Sequence, residues 1–542
     1  MSHWNHKGKM TALSVILLGS LTVGCNKSAD PPTADANTTP APAREGPKYP
    51  AAMSYWVTLD TEAAFSIKNQ GEMGAYKQLE KITGTKVTFE HPPAGAQAAK
   101  DQFNLMMATG KLPDVMYYSW KANAPDKAIK DGKILRLNEL IDKYAPNLSN
   151  MLKEKPDLKK QLTSAEGNIY VFPFLATDDV QYVSHGLFVR KDWLDKLKLP
   201  VPTTIDEWEN MLIAFRDQDP NGNGKKDEIP YFYRETDYET DSPFLGAYGL
   251  LASFYQENGV VKFGPYEPKF KEYLTLMNRW YEAGLIDKDY LTSDTKLRDS
   301  KMLNDLIGAQ GNWAASGFGA YLQSKKEQDP HSTFSLVGVP FPSLKKGELA
   351  VTSGSSKSQW GGAGAAITTS AKNPEEIAAW LDYGYGKEGH MLFNFGVEGE
   401  SYTMVNGKPQ YTDLIMKNPK KLTITQALGL YNTVTYQGPY QNNAEAEKQW
   451  HAGDAQQAAM MVWAKEADRS KYLPQNLNAE EQARIASIMA DLRTYMFEMI
   501  NKFIMGQEKL TKFDEYIQTL KKLKIEEAIK IYQTQYDRYL KS

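Results

Sequence analysis

Cysteine is nearly absent: Cys25 is the single one in 542 residues. One thiol cannot close an intramolecular disulfide or build a cysteine-rich zinc site. Histidine is sparse too, and the seven present (3, 6, 91, 185, 331, 390, 451) show neither metal-ligand nor triad spacing in the body of the chain. There is no basic excess. The formal charge is −3 and no run of Lys or Arg occurs, which argues against nucleic acid as the main partner but leaves room for a local basic pocket. No G-x-S-x-G, H-E-x-x-H, P-loop or dinucleotide fingerprint is found, nor any repeat or coiled coil.

What is present is bulk. With 42% hydrophobic residues over this length, the chain can bury a large core and is expected to form at least two domains. The N-terminus reads as an export signal: "HKGKM" is basic, "TALSVILLGSLTV" is apolar but short for a membrane span, and Gly24-Cys25 ends it. A lone cysteine at that point resembles a bacterial lipobox, although Leu21 lies four residues before it instead of three. The expectation is a signal peptide over 1–24 and lipidation of Cys25, with an ordinary signal peptide as the plainer reading. "NKSADPPTADANTTPAPAREGPKYP" has almost no bulky apolar residue, so 25–50 is expected to be a flexible tether.

From residue 51 onward, short strand-like runs alternate with amphipathic helical segments, the pattern of an α/β protein. "KVTFE" and "DVMYY" predict strands. Between them, "AAKDQFNLMMATGKLP" puts Phe103, Met106 and Met107 on one helical face and stops at Gly110. "TTIDEWENMLIAF" opens with a Thr cap before its apolar stripe. From about 479 on, the pattern is almost wholly helical.

One loop points to a metal. "RDQDPNGNGKKDEIP" alternates Asp and Asn around glycines, and calcium takes six to eight oxygen ligands of this kind. Two registers fit. An EF-hand register runs Asp217, Asp219, Asn221, Gly222, the Asn223 carbonyl and Glu228. A shifted register runs Asp219, Asn221, Asn223, the Lys225 carbonyl, Asp227 and Glu228. Each contains three carboxylates, so charge does not separate them, and a plain Asn-Gly turn without an ion is the alternative. With only hard oxygen ligands and no histidine nearby, such an ion would hold a loop and not perform chemistry.

The supply of flat rings, with 31 Tyr and 11 Trp, suits a carbohydrate site. Trp193, Trp208, Trp280 and Trp380 lie at helical spacing among aliphatics and are expected to be core. Trp313 in "QGNWAASGFG" and Trp360 in "SQWGGAGAA" are surrounded by small residues and are candidates for ligand stacking. Tyr440, with Gln441 and Asn442, sits in a polar turn-rich loop. Trp120, at the end of the "DVMYYSW" strand, and Tyr182 lie at predicted lobe edges, where a surface aromatic and a site residue are equal readings. Arg190 suits a ligand carboxylate or an ion pair within its own lobe.

"DQFNLMMATGKLPDVM", "GLFVRKDWLDKL", "IGAQGNWAAS" and "TSAKNPEEIAAWLDYGYGKEG", in this order and with "DPNGNGKKDEIP" between them, resemble landmarks of extracellular solute-binding proteins of ABC importers, the maltose-binding-like superfamily. The nearest resemblance is to calcium-containing alginate-oligosaccharide-binding proteins, from about residue 55 to the C-terminus. It implies a periplasmic-binding-protein-like fold of type II: two α/β lobes, a hinge and a ligand cleft between them. One lobe would hold 51–178 and 342–384, the other 179–341 and 385–542. It favours the shifted calcium register and supports Trp313 and Tyr440 as cleft aromatics. It further implies a non-enzymatic, lipid-anchored and monomeric receptor outside the cell membrane, with structural Ca2+, handing an oligosaccharide to membrane permease subunits. An acidic or uronate sugar is suggested, with neutral glycans open. A surface glycoside hydrolase or polysaccharide lyase is the alternative, since 66 acidic residues leave room for a catalytic pair, and an adhesive lipoprotein ranks third.

Overall fold

In the computed structural model of the chain, the described residues are 47–176, 185–234, 243–352, 359–433, 437–450 and 453–541. Cys25 and Tyr182 lie outside them, as does the signal segment.

The strands run in chain order as β1 (Ala52–Trp56), β2 (Lys86–Glu90), β3 (Val115–Tyr118), β4 (Phe172–Pro173), β5 (His185–Arg190) and β6 (Ile229–Phe232). Next come the hairpin β7 (Phe254–Glu257) and β8 (Val260–Phe263), then β9 (Ile307–Trp313), β10 (Leu336–Gly338) and β11 (Gly364–Ile367), and a last hairpin, β12 (Tyr402–Val405) and β13 (Lys408–Tyr411). Two sheets result. The first is five-stranded in the order β2-β1-β3-β11-β4, and the second four-stranded in the order β10-β5-β9-β6. In the first sheet β1 pairs in parallel with both β2 and β3, the βαβ pattern read from the sequence.

Each sheet has its own core. One gathers Met53, Trp56, Val115, Leu148 and Ile367; the other gathers Leu187, Val189, Trp208, Met277, Leu492 and Phe503. This is the two-lobe α/β architecture. The local signals behave as their chemistry requires. Helix Ala96–Thr109 buries Phe103 and Met106 and ends at Gly110, whose φ of 72° needs a glycine-like backbone. Helix Ile205–Asp217 opens on a capping box in which the Thr204 side chain accepts from Glu207 N and the Glu207 carboxylate accepts from Thr204 N. Trp193, Trp208, Trp280 and Trp380 are buried.

The lobe borders differ from the expected ones. Ala350 and Val351 pack in the second core, so the chain crosses back to the first only after them and not at 342. The return expected at 385 also comes later. Tyr385, Leu392, Phe393 and Tyr440 belong to the first core. Helix Lys387–Phe395 follows Pro374–Asp382 through a single tight turn, and long-range contacts keep it in the first lobe: Phe393 meets Tyr76 at 5.6 Å and stacks on Tyr440 at 5.4 Å.

The chain rejoins the second sheet through helix Gly453–Lys465. Ala459, Met460 and Trp463 pack there with Phe188 and Leu336, and the Trp463 indole donates to the Leu187 carbonyl at 2.8 Å. This approach needs bare backbone in the sheet, because a Cβ on Gly186 would lie 2.2 Å from the Trp463 ring. Replacing Gly186 with Val is therefore expected to overpack the contact and destabilise the second lobe by about 2 kcal/mol or more, read as an earlier urea transition. An unchanged transition would show that the helix docks elsewhere.

Candidate functional site

Two places have unspent chemistry: the Asp/Asn loop and a cavity between the two cores. In the loop, Asp219 adopts φ 46° and Gly222 and Gly224 adopt φ 75° and 76°, folding the chain back on itself. The Asp219 carboxylate accepts from the N–H groups of Gly222, Asn223 and Gly224 at 2.9–3.1 Å. Asn221 and Asn223 both donate to Asp227, whose carboxyl is held below its ordinary range chiefly by the Asn223 amide. Asp217 is turned away to Arg216, with Nε and Nη2 donating to its two oxygens at 2.8 and 2.9 Å.

Glu228 is the unsatisfied member. Both its carboxylate oxygens are shut off from solvent and meet no donor in full hydrogen-bond geometry. Burial pushes this carboxyl up; the N–H groups of Asn221 and Glu228 offset part of that, and the charges of Asp219 and Asp227 add to it. Among the described residues, no cluster of three or more His, Cys, Asp or Glu gathers in metal-binding fashion. The loop instead mixes carboxylates with Asn amides and a carbonyl, a donor set that suits a hard cation, and Glu228 lacks the positive partner that a cation would be.

The cavity encloses about 700 Å³, the size of a small-molecule site. One wall starts where β3 ends, at the carboxyl end of a parallel pair, the usual place for ligands in α/β sheets. There the short turn Trp120–Ala122 carries Lys121, with Ser119, Gln161 and Tyr170 nearby. Lys121 N donates to Gly362 O at 3.1 Å, and its ammonium stands 5.3 Å from the centroid of the Trp360 ring. Burial pushes this ammonium down to about 8.

The opposite wall comes from the second core. Asn258 and Gly259, both at positive φ, close the β7–β8 hairpin in the manner of an Asn-Gly turn. The hairpin holds Phe254 against Phe263 at 4.7 Å and against Tyr532 at 4.2 Å, a buried aromatic cluster that backs this wall. Helix Ala479–Ile504, started by the Asn478–Glu481 capping box, adds Gln482 and Arg493. The Gln482 amide joins the walls, donating to Lys121 O and accepting from Ala124 N, each at 3.3 Å. Among the described lining residues Asp126 is the one carboxylate, and it already accepts from Ser164 and Asn168.

The sequence-selected residues scatter. Trp313 is 49% exposed at the end of β9, edge-on to His185 at 5.1 Å, with a ring free to receive a ligand, but it does not line the 700 Å³ cavity. His185 is pushed down to about 3 by burial and by the charges of Arg234 and Arg298, so it is a neutral base for the ring. Three aromatic candidates need correction, because their faces are already covered. Trp120 is fully buried, donates to Met116 O and packs on Phe103. Trp360 is 2% exposed, donates to Ala363 O, and its face is taken by Lys121. Tyr440 is 2% exposed, and its hydroxyl lies 3.2 Å from the Thr433 carbonyl. Gln441 is half-buried and bridges by its backbone to Leu175, while Asn442 is tied to Glu447. Arg190 takes the ion-pair reading: it is buried, bidentate on Asp192 and paired with Asp305 at 2.9 Å. Sequence reasoning missed Lys121, one position past Trp120, and the hairpin rings, although "ENG" between two apolar runs was a usable turn signal.

Known proteins with the same pattern agree. A family model for bacterial extracellular solute-binding proteins matches residues 68–391. The fructooligosaccharide ABC transporter substrate-binding protein FusA of Streptococcus pneumoniae serotype 4 is 26% identical, covering 89% of this chain and 90% of its own length. The polygalacturonan/rhamnogalacturonan-binding protein YtcQ of Bacillus subtilis is 25% identical over about half of each chain. The crystal structure of the alginate-binding protein AlgQ2 without calcium ion superposes with a TM-score of 0.69 at 27% identity, covering 90% of this chain and 98% of that one. Two separately cored sheets with a cavity between them, and a family match over more than half of the length, lead to one assignment: the chain belongs to the bacterial extracellular solute-binding protein family.

Proposed function

We propose that the chain is the solute-receiving component of an ABC importer and that its solute is an oligosaccharide. The observation that carries the reading is the cavity between the cores, about 700 Å³ and of small-molecule size, with Ser119, Gln161, Gln475 and Asn476 among the polar groups that line it and suit sugar hydroxyls. The carbohydrates named for the relatives support it. The two lobes close on the sugar about a hinge as the population shifts, and the closed form docks on a membrane permease. Trp313, an exposed ring outside that cavity, is a second candidate stacking surface for the sugar. Lipidation of Cys25 and a monomeric state complete the reading. The lipobox-like sequence supports the first, and no helix among the described residues is long and apolar enough to cross a membrane.

Calcium fits as a brace. Asp219, Asn221, Asn223, the Lys225 carbonyl, Asp227 and Glu228 would hold it in the shifted register, since Asp217 is engaged by Arg216. The ion supplies positive charge to crowded carboxylates and no step of any reaction. The loop follows helix Ile205–Asp217 and leads into β6, so a fixed loop stiffens the second lobe.

Titration calorimetry against a panel of neutral and uronate oligosaccharides is expected to show stoichiometric binding without new products by chromatography. Accumulating cleavage products would replace the receptor with the hydrolase. In Trp313→Ala the cognate sugar is expected to bind about 2 kcal/mol more weakly with the fold intact, and unchanged affinity would remove Trp313 from the site. Saturating calcium is expected to raise the melting temperature by about 5 °C over EDTA, a gain abolished in Glu228→Gln. Superimposable melting curves would dispose of the brace.

A further inference from the structure

We propose that Lys121 selects acidic sugars, its ammonium being the counter-charge for a carboxylate on the bound solute, as in a uronate residue. This rests on the receptor reading and names the chemistry of its ligand.

Lys121 stands apart from the other sheltered lysines. Lys301 pairs with Asp287 at 2.6 Å, Lys325 with Asp305 at 2.5 Å, and Lys471 with Glu257. Among the described residues, no carboxylate comes within ion-pair distance of Lys121; its partner is the Trp360 ring, a weak substitute for an anion. Asp126, the one carboxylate among the described cavity residues, is spoken for by Ser164 and Asn168 at 2.5 and 2.8 Å. Burial alone moves the ammonium, with no acid pulling it back.

The position is also constructed. Lys121 N bonds to Gly362, Lys121 O to Gln482, and the stem lies in a slot that only a glycine at 362 leaves open: that residue has φ 97°, and a Cβ there would sit 3.1 Å from Lys121 Cβ. A half-buried cation held this way gains most from an anionic ligand, because each charge compensates the other's lost hydration. A neutral sugar leaves it unpaired.

The test uses trigalacturonic acid and its methyl ester, which has the same shape without the charge, in calorimetry at fixed ionic strength. The native protein is expected to bind the acid at least about tenfold more tightly than the ester. Lys121→Met should abolish the preference for the acid over the ester, with Lys121→Arg keeping it. The other titratable groups at the cavity are Asp126, Arg493, Tyr170 and Tyr532. Affinity for the acid should hold below pH 8 and fall above it as the ammonium deprotonates; Lys121→Met should flatten that profile if Lys121 is its source. Equal affinity for acid and ester, or a preference that survives in Lys121→Met, overturns the inference. So does binding of neutral kestose alone, which leaves the receptor reading intact. Binding of no oligosaccharide overturns both.

Discussion

Each of the two sheets has to be covered on its own, and this constraint shapes everything else. A parallel or mixed sheet with apolar faces is stable only when helices cover it. The chain meets the need by returning late in the sequence to both lobes: Lys387–Phe395 and Tyr440 close the first core, while Gly453–Lys465 and the long Ala479–Ile504 helix close the second. Because both cores are complete, neither draws the other's surface into itself. What lies between is a cavity, spanned by the Gln482 amide and by Lys160 over the Tyr539 ring among other contacts, and not a fused interior.

Among the described residues, Glu228 and Lys121 are sheltered charges of opposite sign without an ion-pair partner, and each marks a different task. Glu228 is a buried carboxylate crowded by Asp219 and Asp227, a local excess of negative charge within one lobe. Lys121 is a sheltered ammonium facing the space between lobes. Structural ion pairs elsewhere, such as Arg190 with Asp192 and Asp305, are closed circuits that need nothing from outside. The contrast separates residues that hold the fold from residues that wait for a ligand.

The aromatic residues show how composition misleads at single positions. Trp120, Trp360 and Tyr440 sit among small or polar neighbours in sequence, yet their rings are covered by residues far along the chain: Phe103 lies over Trp120, Tyr170 and Lys121 meet Trp360, and Phe393 stacks on Tyr440. Trp313 has the same kind of neighbourhood and remains half exposed at the end of β9, where the His185 ring meets its edge. Sequence context reports what is adjacent along the backbone, and a ring's fate depends on what arrives from elsewhere.

Local chemistry was written in the sequence by itself. The helix caps at Thr204, the stop at Gly110, the alternation of strands and helices, and the calcium-like loop depend on interactions within a few residues, so spacing and residue type suffice to read them. The family and its two-lobe form were also legible, because five such local landmarks recur in a fixed order. Tertiary structure alone decided where the chain changes lobes, which aromatics keep a free face, and that Lys121 lines the cavity with no carboxylate at ion-pair distance among the described residues. Those outcomes turn on contacts between residues tens to hundreds of positions apart, and a one-dimensional pattern carries no record of which distant side chain fills a given space.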